Sequence, residues 1–378
     1  MFSKDKSART RRSVLVILLW VLATDVHFAA ANKDIVGAVY TMDNSALGNS
    51  VHVYHRLGNK RLVFGEAVST GGTGTGQPLG NQGAIQIDPS ESFLYVVNAG
   101  SHSVSVFAIT EDSLELRQTI ASEGHRPLSL AVTQGRLYVL NAGGSVGASD
   151  SVAGFQIDAS GLLTPIEDSV ATLSTAVTRP AQIGVSPDGT SLVVTERETH
   201  KVSIFEIDAA GRPMNLQAHD SEGLTPFGFE FGVRGALVIA EGVLGNTNAS
   251  SVSSYALQSP SSLTVLTSSA PTFQTAACWL VLSPDKKMAF TTNPGSDSIS
   301  RFSLSFDGEL TLERHWRKLL ERGDRPLDIA VTKDSRALYV LLSGSDKLAM
   351  IPIHASRKRV RVAQRLSVPT GANGLAVR

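Results

Sequence analysis

The stretch AIQIDPSESFLYVVNAGSHSVSVFAI, Ala84 to Ile109, decides the fold. An apolar segment runs into a polar turn, then a β-branched and aromatic strand from Leu94 to Val97, a polar loop, and an alternating strand from Val104. The pattern returns as SLAVTQGRLYVLNAGG from Ser129 and QIGVSPDGTSLVVTERETHKVSIFEID from Gln182. It returns again as GFEFGVRGALVIAEG from Gly228, WLVLSPDKKMAFTTNPGSDSISRFSL from Trp279 and DIAVTKDSRALYVLLSGSDKLAMIPI from Asp328. The second strands end on Asn98, Asn141, Glu196, Glu241, Asn293 and Leu342, spaced 43, 55, 45, 52 and 49 residues apart. GAVYTM, ending on Met42, adds a copy 56 residues before Asn98.

Each repeat reads as four strands, with a Ser-Pro-Asp-Gly turn such as Ser186 to Gly189 between the first two. Four-stranded units at this period imply an all-β, seven-bladed β-propeller. No apolar stretch of helical period and useful length follows residue 31. The first repeat, from Ile35, lacks an innermost strand, whereas GLAVR, Gly374 to Arg378, matches the innermost segments SLAV and DIAV. The last strand is therefore expected to complete the first blade, closing the ring and removing two sheet edges.

Composition agrees with this reading. The chain has 378 residues, 42% hydrophobic and only 18% charged, with 33 glycines, a balance that favours turns and strands. Equal totals of 34 basic and 34 acidic residues give no drive toward nucleic acid. The single cysteine, Cys278, excludes an intramolecular disulfide and any multi-cysteine metal site. Lys4, Lys6, Arg9, Arg11 and Arg12 precede an apolar run from Val14 to Ala23, and Ala29 to Ala31 offer a small-residue cleavage site. Residues 1–31 thus read as a signal peptide, leaving residues 32–378 as one secreted or periplasmic propeller with no stable membrane span. A monomer is expected. The mature chain would carry 29 basic and 32 acidic residues.

LYVVN at Leu94 and LYVLN at Leu137 resemble the YVTN-type repeats of bacterial surface propellers. GAVYTM from Gly37, LGNQGA from Leu79, TPFGF from Thr225 and QTAACW from Gln274 are similar to an exported bacterial branch of the seven-bladed lactonase family. That family includes 6-phosphogluconolactonases and carboxymuconate cyclases, and the resemblance spans about residues 34–378. It implies a lactone (carboxylic ester) hydrolase without a cofactor, or less readily a muconate-type cycloisomerase. Relatives carry a Gly-Pro-Arg-His run before a first strand; here Thr178, Arg179, Pro180, Ala181 place the Arg one position early and omit the His. The resemblance therefore does not carry either named activity over intact.

Propeller topology brings residues before the first strand and at the end of the second to one mouth of the channel. The first set includes Asn81, Gln82, His125, Arg126, Arg179, Gln182 and Arg325; the second includes Glu196, Arg197 and Glu241. Arginines suit a carboxylate or phosphate, and a nearby carboxylate can orient water. Glu196 is accordingly expected to be the catalytic base. The remaining mouth residues His125, Arg126, Arg179, Gln182, Glu241, Arg325, Asn81 and Gln82 are expected to bind an anionic lactone. Repetition alone also places similar turn residues at one rim, so a non-catalytic propeller binding a ligand or protein stands as the alternative.

Other features point to structure. His52 and His55, three apart on a strand, make a poor metal pair, and no calcium-loop pattern is present. Cys278 reads as a buried filler. Gly71 to Gly76 lack the Gly-Lys-Ser/Thr of a phosphate loop and read as a tight loop over the mouth. Arg357, Lys358, Arg359, Arg361 and Arg365 alternate like a solvated outer strand. Three tryptophans and no vicinal cysteines disfavour a quinone-dependent propeller.

Overall fold

Strand-by-strand burial explains the sequence pattern before the topology is drawn. The second strands, such as Phe93–Asn98, Ser191–Glu196 and Ala236–Glu241, are buried on both faces, which is why they read as nearly unbroken apolar runs. Outer strands such as Leu114–Ala121 are mostly exposed and polar. Burial on two faces follows when sheets stack face to face around an axis. The computed structural model describes residues 1–2, 35–258, 261–313, 320–353 and 361–378. The segment on which the export reading rests lies outside the described residues, as do Arg357, Lys358 and Arg359.

Seven antiparallel sheets form in chain order, six of four strands and one, the third, with an added two-residue strand Ala171–Thr172. Their innermost strands are Asn373–Val377 (blade 1), Ile85–Ile87 (blade 2), Pro127–Thr133 (blade 3) and Pro180–Val185 (blade 4). Pro226–Phe231, Leu280–Leu282 and Pro326–Val331 serve blades 5, 6 and 7. Each contacts its neighbours cyclically, so they line one central channel. The turns after the innermost strands of blades 4, 6 and 7 share one chemistry: in blade 4, Ser186 Oγ bonds Asp188 at 2.6 Å, and Gly189 N–H returns to Ser186 O at 2.8 Å with φ 75°. Glycine suits that left-handed position. Ser283 with Asp285 and Thr332 with Asp334 repeat the side-chain bond.

The ring closes as the termini suggested. Asn373–Val377 pairs with Ile35–Met42, in register Val39 with Val377 and Tyr40 with Ala376. Ala38 and Arg378 exchange main-chain bonds at 3.1 and 2.8 Å. At Gly37 a Cβ would stand 2.0 Å from the Arg378 main-chain oxygen, so the glycine is required by the closure itself. Arg365 lies on the outermost strand of blade 7, Gln364–Ser367, but is not simply solvated: its guanidinium grips Asp324 through two 2.9 Å bonds. Among the described residues the helical elements are three short 3-10 turns, and no helix is long and apolar enough to cross a membrane.

Candidate ligand site at the channel mouth

The mouth is built from a strained residue at the start of each of four innermost strands. Arg126, Arg179, Thr225 and Arg325 have φ of 55°, 48°, 61° and 48°, and each precedes a proline. Proline pushes its predecessor toward extended backbone, and the left-handed region costs a non-glycine residue roughly 1–2 kcal/mol. The preceding blade holds each one in place. Arg126 N–H donates to His102 Nδ1 at 3.0 Å, Arg179 to Asp150 Oδ2 at 3.2 Å, Thr225 to His200 Nδ1 at 3.1 Å and Arg325 to Asp297 Oδ1 at 2.8 Å. Two histidines that look scattered in the sequence therefore do equivalent work, and each must be unprotonated at Nδ1 to accept. The carbonyls of the same four residues accept from Ala142, Arg197, Gly242 and Ser343. Those are the residues one position beyond the strand ends Asn141, Glu196, Glu241 and Leu342.

That single position corrects the assignment of Glu196. The strand-end residue turns away from the mouth and is fully buried, where it ties down the loop arriving from the preceding blade. Glu196 Oε1 accepts from Ser203 Oγ at 2.6 Å and Ser174 N–H at 3.2 Å; Oε2 accepts from Thr199 Oγ1 at 2.6 Å and from Ser174 Oγ. With four donors its lone pairs are filled, and no oxygen is left for water. Glu241 is the same device in blade 5, taking Gly223 N–H at 2.9 Å and Ser251 Oγ at 2.5 Å; burial pushes its carboxyl up against those bonds. It too is removed from the ligand-binding set. Asn141 ties Ser122 O at 3.1 Å in blade 3. Glu196→Gln would place an amide donor against these donors, so stability should fall by about 1–3 kcal/mol. Denaturant melts measure this, and any turnover per folded molecule should be unchanged.

Asn81, Gln82 and Gln182 also have structural partners. Asn81 and Gln82 form a plug across the channel, bonded to blades 3, 4 and 6. Gln82 N–H donates to Ala181 O in blade 4 at 3.1 Å, while its amide pairs with the Leu280 main chain in blade 6 at 2.7 and 2.9 Å. Asn81 bonds Leu128 O in blade 3, and its main-chain oxygen accepts Trp279 Nε1–H at 2.7 Å. Gly228 makes room, since a Cβ there would stand 2.1 Å from Gln82 Oε1. Gln182 pairs with the Phe229 main chain at 3.0 and 2.8 Å. The Gly71 to Gly76 loop packs on Asn44, Ser45 and Asn98 between blades 1 and 2, so it borders the rim instead of covering the mouth.

What does face the mouth is a group of arginines. Arg197 stands where other blades carry Ala142, Gly242 and Ser343. Its Nε–H donates to Arg179 O at 2.9 Å, and its guanidinium lies 5.5 Å from the centre of the Phe227 ring. Burial, with the charges of Arg179 and Arg126 adding to it, pushes the Arg197 pKa down. Arg126 donates Nη1–H to Ser145 Oγ at 2.8 Å, yet its buried Nε finds no acceptor. Arg179 is exposed and pairs with Glu198 at 3.4 Å. Glu198, two residues past the strand end, is the carboxylate that this arrangement brings beside the arginines. His125 is exposed at the rim, edge-on to His102 at 4.9 Å, and Arg325 is exposed across the ring. Cys278 is buried, with its thiol pushed up to about 12 by desolvation, and is no nucleophile there. Among the described residues no three His, Cys, Asp or Glu side chains are grouped to hold a metal ion.

Comparison with known proteins agrees with the architecture. The family described as lactonase, 7-bladed beta-propeller matches residues 39–177 and 148–281, together well over half of the chain. No curated protein matches the sequence. Among solved structures, a periplasmic gluconolactonase of Pseudomonas aeruginosa is 20% identical, with a TM-score of 0.71 over 90% of this chain and 98% of that one. A Bacteroides fragilis protein assigned as a 6-phosphogluconolactonase is 17% identical, with a TM-score of 0.65 over 90% and 98%. A Lactobacillus plantarum protein is 16% identical, with a TM-score of 0.69 over 90% and 99%. At these identities the likeness shows the fold.

Proposed function

Because the chain belongs to the lactonase family of seven-bladed β-propellers, we propose that it hydrolyses a small anionic lactone at the arginine-lined mouth. The observation that carries the reading is Arg197, a partly buried cation held beside two like charges. Such a cluster gains most from an anion, because an anion relieves both the repulsion and the lost solvation. In the reaction, Arg126 and Arg197 hold the carboxylate or phosphate of the lactone. Glu198 orients a water whose oxygen attacks the acyl carbon. The water proton passes to Glu198, the ring C–O bond breaks, and the proton ends on the alkoxide, giving a hydroxy acid. Arg179 stabilises the oxyanion formed on the way.

Export is part of the same reading. The charged, apolar and small-residue order of residues 1–31 supports it, and the Pseudomonas aeruginosa relative is a periplasmic gluconolactonase. N-terminal sequencing of native protein should give a start near Asn32; a sequence still beginning at Met1 would dismiss cleavage.

One observation favours a second reading. Val146, Val177, Leu224, Leu244 and Phe273 are exposed on loops of the same face, as a surface for a partner would require. Hydrolysis of a lactone panel by the purified mature protein separates the two. Turnover of anionic lactones above neutral ones supports the enzyme, and no turnover with retention of a ligand or protein supports the binder.

A further inference from the structure

Beneath the plug the channel widens into a cavity of about 600 Å³ that opens on the opposite face, between the turns at Pro89 and Pro187. Its walls mix polar and apolar groups, with Phe229, Phe231, Val281 and Ala330 among the apolar ones. The charges near its opening are already matched. Lys286 pairs with Glu230 at 3.3 Å and Lys333 with Glu91 at 2.5 Å. Asp88 is used by its own turn, accepting the N–H groups of Ser90, Ser92 and Phe93 at 2.7–2.9 Å.

Asp328 is different. It sits on the innermost strand of blade 7, lines the cavity and is 3% exposed. Its Oδ2 accepts one long bond, 3.3 Å from Gly374 N–H, and no Lys, Arg or His pairs with it among the described residues. A buried carboxylate without a cation is costly, and proteins seldom keep one without a use. Desolvation pushes its carboxyl up to about 7, which is the response of a carboxylate lacking a counter-charge.

We propose that this cavity is a second binding site, taking a small amine with an apolar body and holding its ammonium group on Asp328. The apolar side chains in the wall, Phe229, Phe231 and Val281, take the body of the ligand, and the ammonium supplies the missing charge and hydrogen bonds. The paired lysines at the opening leave Asp328 as the unmatched charge inside. Ala330, two residues further along the same strand, lines the same cavity, so a phenylalanine there would obstruct it while leaving the carboxylate intact. The plug separates this site from the arginine mouth, and the proposal does not rest on lactone chemistry.

Calorimetric titration of the mature protein with benzylamine, and with benzyl alcohol as the uncharged isostere, tests it. Benzylamine should bind the wild type at least tenfold more tightly than benzyl alcohol. Asp328→Asn should remove that preference, leaving both probes equally weak, and Ala330→Phe should abolish binding of both. Thermal melts establish that each variant is folded, and Ala330→Phe carries the test alone if Asp328→Asn is not. Failure of benzylamine to bind the wild type at millimolar concentration would overturn the proposal. So would unchanged benzylamine binding in a folded Asp328→Asn or Ala330→Phe protein.

Discussion

Deleting Gly374 to Arg378 is expected to leave little or no folded protein, although five residues are removed from a chain of 378. The segment supplies the innermost strand of blade 1 and touches three blades at once. It exchanges main-chain bonds with Ala38, its Arg378 oxygen accepts from Arg56 at 2.5 Å, and Gly374 N–H reaches Asp328 in blade 7. Leu375 packs with Tyr339, Leu341 and Leu348, while Ala376 packs on the cluster that holds Tyr40 and Ile85. At about 1 kcal/mol for each lost main-chain bond, plus the apolar contacts, the loss approaches the roughly 5–15 kcal/mol typical of a whole domain. It also bares two strand edges. A truncated protein that melts within a degree or two of the full chain would refute the closure.

Glu198→Gln is expected to cut lactone turnover by ~10²–10⁴, the usual contribution of a positioned general base. The substituted amide keeps the size and a hydrogen-bonding oxygen but cannot take the proton from water. The side chain is exposed, so the melting temperature should stay close to that of the wild type. Arg197→Ala should raise KM for anionic lactones much more than for neutral ones, because it removes the charge that selects them. Glu196→Gln supplies the contrast, with lower stability and undiminished turnover per folded molecule. If turnover survives Glu198→Gln, the water is oriented by another group, and the exposed imidazole of His125 is then the place to look.

The error over Glu196 has a definite physical source. A strand turns successive side chains to opposite faces, so a shift of one residue exchanges a mouth position for one between blades. The strand ends Asn98, Asn141, Glu196 and Glu241 share a job, fastening the loop from the preceding blade, and their recurrence marks a structural position. The departure from the repeat was the better signal. Arg197 stands where sibling blades carry alanine, glycine or serine, so the arginine is particular to this blade.

By itself the sequence determined the all-β class, seven units of four strands, the turn chemistry between first and second strands, and the closure of blade 1 by Gly374 to Arg378. These follow from local spacing, because the blades repeat one alternation of burial and the turns of blades 4, 6 and 7 use the same few residues. Arg126, Arg179, His125 and Arg325 at the rim were legible for the same reason: each stands at a fixed distance before an innermost strand. The tertiary structure decided the rest. It showed that Gln82 reaches from blade 2 to blade 6 and that His102 and His200 hold strained backbone in the next blade. It also showed that Asp328 faces a cavity without a counter-charge. Each of these is a relation between residues far apart in the chain, across the ring or between neighbouring blades. A repeat of about 50 residues records its own local pattern, but it cannot record what stands opposite it across the axis.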